Sequence, residues 1–381
     1  MAPLGWMQLK HQKVRLAVAA AGISFAVVLI LMQLGFRASL LDSTVRYLER
    51  YDYDIALINT ETLTAATPKS FSLRRLQQAR AVSGVDWVSA VYAATATWKN
   101  PYNHQPRNIF AVGVDPADDV LRAPGFSENI GLVRRRDAVI FDALSRPEHG
   151  PVAERFRAGD AVAAEVNQRR IEVVGLFEMG TSFAIDGSVI TSEDNFLRLF
   201  PERRRTQVDI GLVKLVPGTD ARQVAAEIRS LVPADVEVLT RSGFIDREKA
   251  HWLLTTPIGA VFTFGVIVGF FVGAIIVYQI LFADVSDHLP EYATLKAMGY
   301  SNRFVSGVVI QQAVILSILG YLPGCLICLW LYSVVGDATR LPMQLGWERA
   351  VMVFALTVAM CSFSGMLALR KVRSLDPADV F

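Results

Sequence analysis

Residues 284–303 read DVSDHLPEYATLKAMGYSNR and separate two long apolar runs of the chain. A short polar segment in that position is typical of a loop at a membrane surface. Pro290 suits the first position of a helix, and Gly299 suits its end, because glycine adopts left-handed backbone angles without strain. A narrow apolar stripe recurs every three residues, at Leu289, Tyr292 and Leu295. An ordinary surface hairpin explains this periodicity, so the stripe alone identifies no partner.

The composition is too apolar for a soluble protein of this length. Of the 381 residues, 52% are hydrophobic, and the mean hydropathy is +0.35. These values indicate a membrane protein. The net charge of +2 is nearly balanced, and the basic residues are dispersed along the chain. We therefore expect no nucleic-acid partner.

Four apolar runs are long enough to cross a bilayer. The predicted spans are residues 16–36, 257–282, 304–335 and 350–369. We interpret the first as an uncleaved span, because a secretory signal has a shorter apolar core followed by small residues at its cleavage site. The second carries three glycines at four-residue steps, a pattern that lets another helix approach closely. These predicted helix-packing residues are Gly265, Gly269 and Gly273.

The polar block between the first two spans, residues 37–252, is large enough for one or two small domains. Alternating apolar residues predict strands at 54–58, 88–92, 109–114, 171–176 and 210–216. Helical periodicity appears at 73–82, 192–200 and 220–231. We therefore expect an α+β domain in which 43–95 and 206–250 pack together, with 96–205 inserted between them.

Two further features of this block are its runs of arginines and its tryptophans. The arginine runs at 134–136 and 203–205 would suit acidic lipid headgroups or an adaptor, but solvated faces and turn tips are the commoner explanation. Trp87 and Trp98 are expected to fill the core of the domain.

Positive residues at the two ends of the chain determine the expected orientation. Before the first span stand Lys10, Lys13 and Arg15, and after the fourth stand Arg370, Lys371 and Arg373. Both termini are therefore expected in the cytoplasm, with 1–15 as an amphipathic segment at the interface and 370–381 as a tail. Four spans then put 37–252 outside, 284–303 inside, and 336–349 outside as a short loop.

The sequence lacks the common motif of ATP binding and two common motifs of hydrolytic enzymes. It contains no GxxxxGK[ST] phosphate loop, no HExxH and no GxSxG. The five histidines lie far apart, and the cysteines Cys325, Cys328 and Cys361 lie in apolar runs, where a thiol behaves as a buried hydrophobe. We therefore predict no catalytic residue, no metal ligand and no cofactor bound by this chain.

The predicted spans contain few polar side chains, mainly Gln33, Gln279, Gln311 and Gln312. An ion-coupled carrier needs carboxylates, histidines or broken helices at membrane depth, and these spans offer none convincingly. The energy for transport must therefore come from elsewhere. Gln311 and Gln312 would either line a path or, more commonly, bond one helix to another.

Residues 284–300 resemble the cytoplasmic loop of the FtsX/MacB superfamily of ABC permeases, the type VII ABC transporters. Further matches favour the DevC branch, named for the cyanobacterial heterocyst glycolipid exporter. They follow in order along nearly the whole chain: KVRL (13–16), MQLGFR (32–37), KNP (99–101), RNIF (107–110), FDALSRPE (141–148), ITSEDNFLR (190–198), VYQIL (277–281) and DPADVF (376–381).

This resemblance implies a permease of the inner membrane that works as a homodimer, each subunit giving four spans and a large periplasmic domain. Residues 43–95 and 206–250 would form a porter-like part, and 96–205 the inserted part. A separate DevA-like ABC ATPase, which binds ATP and Mg, would dock on 284–303. The expected coupling residues are Glu291, Tyr292, Leu295, Lys296 and Gly299. A DevB-like membrane-fusion adaptor would sit on the periplasmic domain and lead to an outer-membrane channel.

The mechanism implied by the resemblance is mechanotransmission. Closure of the ATPase dimer pushes the loop, and the spans pass the motion to the periplasmic domains, which expel a lipid or other amphiphile from the periplasm or outer leaflet. MacB-type relatives carry the ATPase at the N-terminus of the permease. This chain starts almost at its first span, so we expect the ATPase to be a separate polypeptide.

The alternative is a regulator. FtsX-type proteins have the same four spans but use the outer domain to activate a cell-wall hydrolase, and that domain is usually much smaller than 37–252. A ligand-sensing receptor would need a cytoplasmic output domain, and the inner loop leaves no room for one.

Overall fold

A computed structural model describes residues 13–288, 290, 294, 298, 302–339, 341 and 343–373. The chain divides into two compact units: Leu40–Thr256 forms an α/β unit, and the described residues on either side form a helix unit. The predicted coupling-loop residues Glu291, Tyr292, Leu295, Lys296 and Gly299 lie outside the described residues. So do 1–12 of the predicted interface segment and 374–381 of the predicted tail.

The helices and strands are numbered in chain order. The α-helices are α1 (Lys13–Arg50), α2 (Leu73–Arg80), α3 (Phe126–Asn129), α4 (Val152–Arg157), α5 (Glu193–Leu199), α6 (Ala221–Leu231), α7 (Arg241–Ala250), α8 (Pro257–Asp287), α9 (Asn302–Thr339) and α10 (Trp347–Arg373). The strands are β1 (Ile55–Asn59), β2 (Phe71–Ser72), β3 (Val85–Lys99), β4 (Pro106–Val114), β5 (Ala138–Asp142), β6 (Val162–Val166), β7 (Arg169–Phe177), β8 (Ser188–Ser192), β9 (Gln207–Val208), β10 (Ile210–Leu215) and β11 (Val236–Thr240). Short 3₁₀ turns occupy Ile130–Arg134 and Pro147–His149, and a π-helical turn occupies His251–Thr255.

Four helices of the described chain, α1, α8, α9 and α10, are long and apolar enough to cross a membrane. Each is longer than the apolar run that predicted it, because helical hydrogen bonding continues into polar residues at the ends. In α8, for example, Asp284 and Asp287 belong to the last turns. With the α/β unit between α1 and α8, the architecture confirms the predicted fold class of four apolar helices and a large α+β domain.

The three glycines of α8 that were predicted to pack against another helix, Gly265, Gly269 and Gly273, lie against α1. A Cβ added at Gly273 would lie 2.6 Å from the Cβ of Ala26, and one at Gly269 would lie 3.1 Å from Ile30 Cγ1. Because glycine has no side chain, the two backbones approach closely at these positions. The pairs run in opposite directions along the two helices, so α1 and α8 are antiparallel here. They are Gly265 with Gln33, Gly269 with Ile30, and Gly273 with Ala26.

Strands from both ends of the α/β unit form one antiparallel sheet in the order β11-β1-β10-β3. With α2 and α6, these strands make a split β-α-β-β-α-β unit. Everything between β3 and β10 is an insertion in this unit. The sheet therefore joins segments that lie more than a hundred residues apart in sequence, which apolar alternation alone does not reveal.

The insertion forms a mixed, closed set of strands in the order β3-β4-β8-β5-β7-β6, which returns to β3 through the pairing of Trp98 with Val166. Strand β3 serves both sheets: Val91 pairs with β10, and Tyr92 begins the pairing with β4. The strand therefore runs without a break through the expected boundary at residue 96.

The five predicted strands and three predicted helices of this block are confirmed, as β1, β3, β4, β7, β10 and as α2, α5, α6. Strands β5 and β8 were not predicted, because both are buried at every position and lack the alternation of a half-buried strand. The short strands β6 and β11 were also missed. Trp98 is fully buried beside Phe141, as predicted, whereas Trp87 is only partly buried.

Asp209 supports β3 at the point where the strand changes partners. Its carboxylate accepts a hydrogen bond from the N–H of Ala93 at 2.8 Å, and its own N–H donates to the carbonyl of Val91 at 3.1 Å. It also accepts from Ser70 Oγ and from Arg203 Nη1, each at 2.8 Å. Asp209 is almost fully buried, so these donors stabilise a charge that burial alone would disfavour.

The arginine runs contribute ion pairs within the α/β unit. Arg203 pairs with buried Asp209, and Arg205 pairs with Asp194. In the first run, Arg135 lies 2.9 Å from Glu172, and Arg136 lies 3.5 Å from Asp137. These contacts favour a role in the domain itself over a binding site for acidic lipids.

A buried acid joins the last helix of the α/β unit to the π-helical turn before α8. Glu248 accepts hydrogen bonds from Ala65 N at 2.9 Å and from Trp252 Nε1 at 3.0 Å. Burial raises the pKa of this carboxyl, and the two N–H donors and nearby Arg247 oppose that shift. Since Trp252 also packs edge-on against Phe183, the segment leading to α8 is held to two separate loops.

We expect Gly273→Leu to destabilise the helix unit by about 1–3 kcal/mol or more, because the new side chain would overlap Ala26 and Met360. Thermal unfolding of the full chain in detergent measures this change. The control is Gly307→Ala in α9, where an added Cβ would meet nothing within 4 Å. Equal unfolding temperatures for the two variants would contradict a packing role for Gly273.

Asp209→Ala should lower the free energy of unfolding by about 3–5 kcal/mol, because it leaves Arg203 and the Ala93 N–H without their buried acceptor. Asp194→Ala removes an ion pair that is exposed on both sides and should cost less than about 1 kcal/mol. Unfolding of both variants, followed by intrinsic fluorescence, compares them directly. A small effect at Asp209 would show that β3 does not depend on this carboxylate.

Candidate functional site at the loop end of the helix unit

The described part of the loop begins within a helix. Helix α8 ends at Asp287, so the first residues assigned to the loop by the sequence are helical. Further on, Met298 N donates to the carbonyl of Thr294 at 3.0 Å, and Thr294 Oγ1 donates to the carbonyl of Pro290 at 2.8 Å. These are the four-residue steps of an α-helical turn. Pro290, Thr294 and Met298 are all exposed, so one face of this turn is accessible.

Asp284 is buried at the end of α8 and bonds to α9. Its side chain accepts a hydrogen bond from Gln312 Nε2 at 3.0 Å, and Gln312 is also fully buried. This contact confirms the interpretation of Gln312 as a residue that bonds one helix to another. In an apolar interior, a carboxyl group is retained only where a partner satisfies it.

Two further contacts surround this bond. Arg15 of α1 pairs with Asp287 of α8 at 2.6 Å, and both side chains are substantially exposed. His288 Nδ1 lies 2.9 Å from the carbonyl of Asp284 and 3.7 Å from its carboxylate. The polar cluster Arg15, Asp284, Asp287, His288 and Gln312 thus connects α1, α8 and α9 where the loop starts.

The cluster is suited to positioning rather than to covalent chemistry. It contains no nucleophile paired with a base, and among the described residues there is no group of three side chains that could hold a metal ion. What it does is join helices at the base of the loop. These contacts link α8 to α9 and to α1 in addition to the covalent connection through the loop.

The sequence indicated Gln312 but not Asp284. Asp284 is the first residue of the predicted polar loop, 284–303. A signal was nevertheless present, because Val277, Leu281 and Val285 recur every four residues and all are buried. Continuing that helical period past residue 282 puts Asp284, three residues after Leu281, on the same buried face. The predicted coupling residues themselves remain outside the described part of the loop.

Comparison with protein families agrees with this architecture. Residues 16–231, more than half of the chain, match the family described as MacB-like periplasmic core domain. Residues 263–377 match the family described as FtsX-like permease C-terminal. The first match covers most of α1 and the α/β unit as far as the end of α6, and the second covers most of α8 with α9 and α10.

Individual relatives are more distant. Uncharacterized ABC transporter permeases from two strains of Mycobacterium tuberculosis, CDC 1551 / Oshkosh and H37Rv, are 23% identical over 264 residues, covering 65% of this chain and 69% of theirs. Among solved structures, the extracellular domain of the transporter YknZ from Gram-positive bacteria matches with a TM-score of 0.37 and 16% identity, over 49% of this chain and 98% of that one. The periplasmic region of MacB from Actinobacillus actinomycetemcomitans matches with a TM-score of 0.37 and 10% identity, over 53% and 94%.

The family matches span both units in the order that the fold requires, with the apolar helices on either side of the α/β unit. The chain therefore belongs to the FtsX/MacB family of ABC transporter permeases.

Proposed function

We propose that this chain is the permease subunit of an ATP-driven tripartite export system, which moves a lipid or other amphiphile outward by mechanotransmission. The observation that carries the proposal is the presence of both family domains in one chain, around four apolar helices. The resemblance to the DevC branch supports a lipid as the cargo.

The energy would come from a separate ABC ATPase that binds ATP and Mg. The sequence contains no phosphate loop, and the spans predicted from it, 16–36, 257–282, 304–335 and 350–369, contain no ionisable groups of the kind that an ion-coupled carrier uses. The ATPase would dock on residues 284–303, where Pro290, Thr294 and Met298 are exposed. In this proposal the positive residues at both ends of the sequence keep the termini in the cytoplasm and the α/β unit in the periplasm.

The motion would reach the α/β unit through two covalent connections. Helix α1 continues without a break from the helix unit to Arg50, shortly before β1 begins at Ile55. Helix α7 and the π-helical turn lead from β11 into α8. A permease homodimer would bring two such units together beneath a membrane-fusion adaptor and an outer-membrane channel. Helices resist compression along their axes, so they suit the transfer of a push.

Copurification from the native membrane tests the proposed assembly. We expect the full chain, solubilised in mild detergent, to carry an ABC ATPase and a membrane-fusion adaptor. A cell-wall hydrolase in place of the adaptor would contradict export and support the regulator. Mass spectrometry of the bound proteins distinguishes the two results, and a detergent-solubilised membrane protein of another family serves as the control for nonspecific binding.

The double variant Tyr292→Ala/Leu295→Asp should uncouple ATP hydrolysis from export, because it removes two members of the apolar stripe on which the ATPase is proposed to dock. We expect normal insertion and a loss of ATPase binding of about tenfold or more, as for apolar anchors of a protein interface. Asp337→Ala, which changes an exposed residue in the last turn of α9, outside the proposed docking loop, is the control. Unchanged ATPase binding and transport in the double variant would rule out this loop as the coupling site.

A further inference from the structure

We propose that Asp284 is a positioning residue for coupling: its hydrogen bond to Gln312 makes α8 and α9 respond together when the loop between them is pushed. This inference rests on the proposed function, since it assumes that force enters at residues 284–303. Neither residue touches ATP or cargo in this scheme. Their role is to hold the helix that enters the loop, α8, against the helix that leaves it, α9.

The first support is the arrangement of the three helices around the bond. Helices α8 and α9 both pack extensively against α10 and, within the described residues, contact each other at few positions. They converge at Gly365 of α10, where an added Cβ would lie 3.5 Å from Leu281 of α8 and 3.5 Å from Val309 and Ala313 of α9. The bond between Asp284, three residues after Leu281 in α8, and Gln312, between Val309 and Ala313 in α9, lies beside this convergence. The bond therefore joins α8 directly to α9, whereas the other packing of these two helices is mainly against α10.

The second support is burial. Asp284 is 3% exposed and Gln312 is 0% exposed, and both stand among the buried apolar residues Leu281, Val285 and Val309. Packing alone would be better served by apolar side chains, because a buried polar pair costs desolvation that its hydrogen bond only partly offsets. A buried hydrogen bond, unlike an apolar contact, depends on the angle and distance between its two groups. The bond between Asp284 and Gln312 therefore restricts how α8 and α9 slide along each other more than apolar contacts do.

The third support is the contrast with the neighbouring ion pair. Arg15 and Asp287 have side chains that are 36% and 52% exposed, and an exposed pair contributes little net stabilisation. The buried bond is the stronger constraint at this end of the helix unit. It connects the helix that enters the loop with the helix that leaves it, whereas Arg15 lies on α1.

The experiment compares Asp284→Asn, Asp284→Leu, Gln312→Leu and the double variant Asp284→Leu/Gln312→Leu in the full chain. Asparagine keeps an oxygen that accepts from Gln312, so this variant should behave as wild type. Each single leucine variant removes the hydrogen bond between Asp284 and Gln312 but keeps one of the two buried polar groups, and it is expected to lower the unfolding temperature. The double variant removes both polar groups and should recover that temperature, while the bond stays absent.

The coupling between ATPase closure and movement of the α/β unit can be measured without knowing the cargo. The full permease is reconstituted in nanodiscs with its copurifying ATPase and carries a spin label at exposed Glu227→Cys on helix α6, in a background that lacks Cys325, Cys328 and Cys361. ATP with vanadate traps the closed ATPase, and the change in label distance between the two protomers reports the transmitted motion. Asp337→Ala, an exposed carboxyl in the last turn of α9, is the matched control.

In both single leucine variants, we expect the ratio of the shifted to the resting population of label distances to fall by roughly three- to tenfold. A change of this size corresponds to the loss of one interhelical hydrogen bond in a membrane. The double variant should remain uncoupled to the same extent although it is stable, because the two residues act as one pair. A double variant with wild-type coupling would overturn the inference, since the bond would then serve stability alone. So would additive losses, or single variants without effect.

The outcome for the wild-type protein separates this inference from the proposed function. A wild-type complex that shows no nucleotide-dependent change in label distance would overturn the proposed function and this inference with it. A normal wild-type change with unaltered leucine variants would overturn only the role of Asp284 and Gln312.

Discussion

A bilayer interior supplies no water for unsatisfied polar groups, and the helix unit follows from that constraint. Helices satisfy their own peptide groups, and small residues let them pack without a hydrophobic driving force between them. The glycines of α8 that face α1 meet this requirement. The same constraint explains why a buried polar side chain has a partner. Asp284 bonds Gln312, Ser24 Oγ donates to the carbonyl of Gly320, and Ser364 Oγ donates to the carbonyl of Ala274.

The α/β unit depends on a different constraint, the continuity of one strand. Strand β3 pairs with β10 over its first half and with β4 over its second, so both sheets share one piece of backbone. Where the partner changes, the N–H of Ala93 would lack an acceptor, and the Asp209 carboxylate supplies one. A strand held in this way cannot bend at the junction without breaking hydrogen bonds. The inserted strands and the split unit should therefore behave as a single body.

These two units suit a protein that transmits motion. The helix unit has a polar connection between α8 and α9 at the loop, and the α/β unit is attached by α1 on one side and by α7 with its π-helical turn on the other. A π-helical turn weakens the regular hydrogen-bond ladder and is often found at functional positions. Here Glu248 and Trp252 hold that turn to the α/β unit. In the proposed function, these connections would carry motion from the loop to the α/β unit.

The sequence by itself determined the four apolar helices, the α+β nature of the block between the first two, the glycines of α8 and the family. These properties depend on composition, on short-range periodicity and on motifs. All three can be recognised in the sequence without knowing which residues are in contact. Only the tertiary structure decided that β1 lies between β10 and β11, that β3 is shared by two sheets, and that Asp284 bonds Gln312 of α9. Each of these depends on contacts between residues far apart in sequence, and a polar residue at the end of an apolar run does not reveal whether it faces water or a partner helix.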